Sequence, residues 1–195
     1  QGFFNSNKNG LFKMHDVIHD LAVWVAGPTY KSVHYSEELE FQDDRIRHLF
    51  IEGDEGGPPM DLQYSRLIKM TKQLQSLVVN GRRHIRPCKL SLPHFKCLRV
   101  LGIRDLGLNE MPRIISKLIT LRYLDLSGNN FRKLPDSITQ LVNLTYLRLS
   151  SCKELEELPR GLSKLQNLLQ LNLSDCSKLQ KLPTDMTSLL SLTLS

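Results

Sequence analysis

From Leu98 onward a single apolar template recurs every 23 or 24 residues, and no other feature of the chain restricts its fold as much. Leu98, Leu101 and Ile103 spell L-x-x-L-x-L. The same spacing returns at Leu121, Leu124 and Leu126, at Leu144, Leu147 and Leu149, and at Leu168, Leu171 and Leu173. Leu192 opens one more unit. Each unit then continues alike. Leu108 leads to Met111-Pro112, Phe131 to Leu134-Pro135, Leu155 to Leu158-Pro159 and Leu179 to Leu182-Pro183. Ile115, Ile138, Leu162 and Met186 follow each Pro at constant spacing, and Leu118, Leu141, Leu165 and Leu189 follow those. The position that ends each strand template holds Leu106, Asn129, Cys152 or Cys176, and the extra residue of the longer units falls just after it.

The physics of this template specifies an architecture. L-x-x-L-x-L is a short strand whose alternate residues point inward. The Asn or Cys stands where the chain turns away from the sheet, where its side chain can bond main-chain groups that the ladder no longer serves. Pro then suits an outer side that needs no continuous helix. No unit can bury its leucines alone, so neighbours must stack and share one core. The expected fold is an α/β solenoid, a leucine-rich repeat horseshoe with short parallel strands. Fainter units precede the regular ones: Leu74, Leu77 and Val79, and before them Ile46, Leu49 and Ile51. Between these two the Gly- and Pro-containing stretch from Gly53 to Met60 reads as a loop.

Ahead of the repeats, Met14, Val17, Ile18, Leu21, Ala22 and Val25 share one face at helical spacing. This predicts an amphipathic helix over residues 14–26, ended by Gly27-Pro28. Met14-His15-Asp16, continued as Val-Ile-His-Asp-Leu-Ala, resembles the M-H-D motif of plant intracellular nucleotide-binding leucine-rich-repeat immune receptors. The L-P-x-x-I-x-x-L-x-x-L run is similar to that family's repeats, and the order of motif and repeats is the same.

The resemblance implies three segments: residues 1–30 as the end of a winged-helix part of a nucleotide-binding module, 31–93 as degenerate first repeats, and 94–195 as regular repeats. It also implies that the leading helix is left over from that winged helix, with His15 and Asp16 forming part of an ADP/ATP switch in the full-length receptor. The chain contains no G-x-x-x-x-G-K-[ST] phosphate loop, so this piece alone is not expected to bind nucleotide. Both ends read as cut from a longer receptor, and the resemblance places that receptor in the cytoplasm, with the nucleus as a further compartment. The alternative is a stand-alone intracellular repeat scaffold similar to the Ras-group-related repeats of plants. It leaves Met14 to Asp20 without a role.

Other classes find little support. His15 and His19 have the spacing of a zinc-protease helix, but Asp16 is one methylene shorter than the Glu used as general base, and no third ligand is evident. No enzyme is expected. The net charge of +6 raises nucleic acid as a partner. Yet the one basic cluster, Arg82, Arg83, Arg86 and Lys89, lacks interleaved aromatics to stack bases, so none is expected. No apolar run reaches membrane-spanning length. The four cysteines form no CxxC pair, and Cys152 and Cys176 are equivalent turn positions rather than a metal or redox pair.

Function in such an array rests on side chains that do not build the core. The exposed strand positions carry Arg99, Val100, Gly102 and Arg104, then Arg122, Tyr123 and Asp125, then Thr145, Tyr146 and Arg148, then Leu169, Gln170 and Asn172. Tyr and Arg are favoured at interfaces. The expected partner-binding set is Arg99, Arg104, Arg122, Tyr123, Asp125, Tyr146, Arg148, Gln170 and Asn172. The resemblance supplies candidate protein partners: the receptor's own nucleotide-binding module, a pathogen effector or a guarded host protein.

Overall fold

The computed structural model describes residues 4–6, 12–14, 27–34, 45–52, 73–81, 95–184 and 193–194. Two short strands, β1 (Phe4–Ser6) and β2 (Phe12–Met14), pair antiparallel. A 3-10 turn at Gly27–Thr29 leads into β3 (Tyr30–His34). The strands β4 (His48–Glu52), β5 (Ser76–Asn80), β6 (Val100–Arg104), β7 (Tyr123–Asp125), β8 (Tyr146–Arg148), β9 (Gln170–Asn172) and β10 (Thr193–Leu194) follow. Strands β3 to β10 form one eight-stranded sheet in strict chain order, and every pairing in it is parallel. Parallel neighbours need a crossover on each return. The result is a leucine-rich repeat solenoid.

The register follows the template residue for residue. Leu49, Leu77, Leu101, Leu124, Leu147 and Leu171 form one continuous row across the sheet. All of them are buried, as are Ile51, Val79, Ile103, Leu126 and Leu149 two residues on. The faint early units therefore build the same core as the regular ones, with β4 and β5 alternating strictly between buried and half-buried positions. Strand β3 extends the sheet by a further strand that the leucine template did not mark, because Val33 is its only described buried residue.

The outer side is made of single 3-10 turns at Arg113–Lys117, Asp136–Gln140 and Leu162–Lys164. Pro112 and Pro135 stand at the N-caps of the first two, as expected for a segment that needs no continuous helix. Ile115, Ile138 and Leu162 point from these turns into the core. Beside the Leu-Pro pairs, Lys133, Glu157 and Lys181 form isolated parallel bridges, a second narrow ladder on the outside.

The turn after each strand explains the Asn/Cys position. The Asn129 amide is 1% exposed and serves two repeats. Its oxygen accepts from the main-chain N–H of Leu106 (3.2 Å) and Leu108 (3.1 Å). Its nitrogen donates to the carbonyls of Ile103 and Leu126, both at 2.8 Å. The thiols of Cys152 and Cys176 each donate to one carbonyl a repeat earlier, Leu126 at 3.4 Å and Leu149 at 3.1 Å. One residue before this position, Asp105, Gly128, Ser151 and Asp175 all adopt positive φ, between 53° and 71°. Only Gly128 takes that conformation at no steric cost.

The helix expected over residues 14–26 needs one correction. Met14 closes strand β2, its main chain paired with Phe4, so its place in the apolar helical spacing is not a helical one. Residues 15–26, with His15, Asp16 and His19, lie outside the described residues.

Candidate protein-binding surface

Residues that alternate with the core leucines stand on the open face of the sheet in parallel rows. One row runs Tyr30, His48, Ser76, Val100, Tyr123, Tyr146 and Gln170. The next runs Ser32, Phe50, Val78, Gly102, Asp125, Arg148 and Asn172. A third carries Glu52, Asn80 and Arg104. The face is therefore divided along its length. Phe50, Val78, Val100 and Gly102 make one part apolar, and the strands that follow carry aromatic and charged side chains.

Asp125 organises the second part. It is 2% exposed, so it does not itself present a contact to solvent. Arg104 approaches it from the preceding repeat, with Nε 3.6 Å from Oδ2, and Arg148 from the following repeat, with Nε at 3.9 Å. The Tyr123 hydroxyl donates to Oδ2 at 3.5 Å, and Arg148 Nη1 donates to that hydroxyl at the same distance. Ser127 donates its main-chain N–H to Oδ1 at 3.0 Å and its hydroxyl to the same oxygen. Asn172 repeats this turn two units later, accepting from Ser174 N at 3.0 Å. A buried carboxylate is tolerable only with this degree of pairing.

The electrostatics follow from the geometry. Burial raises the Tyr123 hydroxyl pKa above the usual tyrosine value, and the neighbouring Asp125 charge raises it further. For Arg148 burial alone would lower the pKa. The Tyr123 hydrogen bond and the Asp125 charge outweigh burial, and the net direction is upward. The Nε atoms of both Arg104 and Arg148 are buried without a hydrogen-bond partner, because Asp125 Oδ2 stands beyond hydrogen-bond reach of each.

The aromatic pair lies beside this cluster. The Tyr123 and Tyr146 rings are 6.3 Å apart and inclined by 41°, and Tyr146 is 41% exposed. Arg99 and Arg122 flank the row as exposed side chains and form no ion pair among the described residues. Gln170 and Asn172 are half-buried on the next strand. The structure thus brings Arg104, Tyr123, Asp125, Tyr146 and Arg148 into one cluster, and it places Asp125 beneath the others as their support. The apolar half-face at Phe50 and Val78 was not singled out in the sequence, although alternation with Leu49 and Leu77 marks it.

Elsewhere the chemistry is sparse. Among the described residues no group of three His, Cys, Asp or Glu side chains converges as a metal would require. On the open face His48 Nδ1 lies 3.1 Å from Ser76 Oγ, and burial together with the nearby Arg47 charge lowers the His48 pKa. Cys97, Cys152 and Cys176 are free thiols, and burial pushes the Cys152 thiol up to about 12. Among the described residues no helix is long and apolar enough to cross a membrane.

Comparison with known proteins agrees with the geometry. The model of a family described as leucine-rich repeat region matches residues 73–195. Over 118 residues the chain is 35% identical to a protein of Solanum bulbocastanum named as disease resistance protein RGA1, covering 60% of this chain and 9% of that relative. Over 129 residues it is 25% identical to disease resistance protein RFL1 of Arabidopsis thaliana, covering 59% of this chain and 14% of the relative. The chain therefore spans only a small part of the length of these relatives. Among solved structures, a leucine-rich repeat protein of Leptospira interrogans superposes with a TM-score of 0.60 at 31% identity, covering 71% of this chain and 36% of that one.

Proposed function

Since this chain belongs to the leucine-rich repeat region family, we propose that it binds a protein partner through the open face of its sheet, as part of a plant intracellular immune receptor. Support for the binding role comes from the cluster around Asp125, where two arginines and two tyrosines share one open patch that the core does not need. Support for the receptor setting comes from the two plant disease resistance relatives and from Met14-His15-Asp16 ahead of the repeats. In that setting the repeats act as sensor and autoinhibitory surface. Their partner is the receptor's own nucleotide-binding module, a pathogen effector or a guarded host protein, in the cytoplasm or nucleus. His15 and Asp16 belong to an ADP/ATP switch completed by a phosphate loop outside this chain, and the chain carries out no catalysis of its own.

The decisive experiment reverses charge on the face. A full-length protein carrying Arg122→Glu and Arg148→Glu, expressed in leaf tissue, should either signal without a pathogen or fail to respond to one. Behaviour like that of the unmodified protein would remove this face as the interface. Calorimetry of the present chain with ADP should show no tight binding, and a micromolar or tighter dissociation constant would refute the shared-switch reading. The stand-alone scaffold is the second reading. An in-frame G-x-x-x-x-G-K-[ST] encoded upstream of Gln1 would eliminate it.

A further inference from the structure

The charge on the open face is unbalanced in a particular way. From Arg99 to Arg148 the strands and the residues directly beside them carry four arginines, Arg99, Arg104, Arg122 and Arg148, against two carboxylates, Asp105 just past β6 and, within the rows of the open face, Asp125. Both oxygens of the Asp125 carboxylate are already engaged, by Ser127, Tyr123 and the two flanking arginines. One negative charge thus holds two guanidinium groups from opposite sides, and the patch keeps a net positive charge. Arg104 and Arg148 nevertheless remain part-exposed, with 27% and 20% of their side-chain surface accessible. The Asp125 charge draws both guanidinium groups toward it, and Tyr123 accepts a hydrogen bond from Arg148, so part of the ordering cost of engaging a ligand is already met in the free protein.

We propose that this patch is an anchor for an acidic side chain of an extended partner segment, taken on the solvent side of Asp125 by the exposed parts of Arg104 and Arg148, with the Tyr123–Tyr146 pair packing against the residue beside it. The inference rests on the open face being the binding surface and names the chemistry of what binds there. Two arginines separated by one repeat suit a carboxylate, which accepts paired N–H donors. The apolar stretch at Val78 and Val100 continues the same rows and suits an apolar residue further along the segment. A nucleic-acid backbone is the poorer fit. It requires a run of unpaired cations along its path, whereas here Asp125 lies at the centre of the charge.

The test is selection of a phage-displayed library of random peptides against the full chain. Recovered peptides should be rich in Asp and Glu. Arg104→Gln with Arg148→Gln should weaken them about tenfold or more, and Arg104→Lys with Arg148→Lys should restore part of the loss. Because the Gln pair leaves the buried Asp125 without its two cationic partners, Arg99→Gln with Arg122→Gln gives an independent check. These side chains are exposed and form no ion pair among the described residues, so the fold should be unchanged while the salt dependence of binding becomes shallower. Neutral or basic peptides whose binding is lost in Tyr146→Ala would overturn the acidic anchor while leaving the binding face in place. Recovery of no peptide that competes at this face would overturn both. Tight binding of a single-stranded oligonucleotide that Arg104→Gln with Arg148→Gln abolishes, without any acidic peptide, would assign the patch to nucleic acid instead.

Discussion

At the scale of single residues, the position after each strand carries much of the repeat's specificity. Asn129 satisfies main-chain groups in two repeats at once, and nothing but an amide of that length offers both donors and acceptor there. Asn129→Ala should therefore cost about 3 kcal/mol, read from urea denaturation, because it strands several buried groups together. The Asn/Cys pattern was legible in the sequence, but the left-handed residue before it was not. Asp105, Gly128, Ser151 and Asp175 have no one side-chain type in common, and only the backbone unites all four. Ser151→Gly should raise stability by roughly 0.5–1 kcal/mol through release of left-handed strain, partly offset by the entropy of the glycine. Cys152 is buried and its pKa is pushed up to about 12, so iodoacetamide should label Cys97 in the native protein and Cys152 only after unfolding. Tyr123 supplies a pH signature. Its folded pKa is raised, so its contribution to stability is intact below the unfolded value of about 10 and lost as pH rises through the folded value. An ultraviolet difference titration should show a late-ionising tyrosine that Tyr123→Phe removes.

At the scale of elements, the strands are only two to five residues long, and alternation does all the sorting between faces. Leu147 and Tyr146 are neighbours in the chain with opposite fates: one is 0% exposed, the other 41%. Leu147→Ala should cost roughly 2–5 kcal/mol, whereas Tyr146→Ala should change stability by less than about 1 kcal/mol. Equal losses for the two would mean the register is wrong. The strand register was readable because leucine spacing fixes it by a period of two. Strand β3 was not, since one buried valine gives no period to detect, and neither was the β1–β2 hairpin, which shares no template with the repeats. The burial of Asp125 was also invisible. A carboxylate at an open-face position reads as a surface charge until the arginines of two other repeats are seen to close over it.

At the scale of the whole molecule, each repeat pairs with its neighbours in sequence and with no others in the sheet. Stability should therefore behave as a sum of unit and nearest-interface terms. Leu101→Ala and Leu171→Ala, separated by two intervening strands, should combine additively within about 0.5 kcal/mol. Leu124→Ala and Leu147→Ala, on paired strands that share a core, should depart from additivity by more than that. Urea denaturation of the two double variants decides the point.

The division of labour between Leu147 and Tyr146 has a consequence for how such a chain changes over generations. Inward positions are held to leucine by the stack, and each failure there weakens two interfaces. Exposed outward positions such as Tyr146 carry no share of the core, so they can be exchanged one at a time while the backbone stays in place, whereas the buried Asp125 cannot. Mutation can thus rewrite what the open face recognises at little structural cost, and a lineage under pressure from a changing adversary gains a surface it can revise without rebuilding the protein.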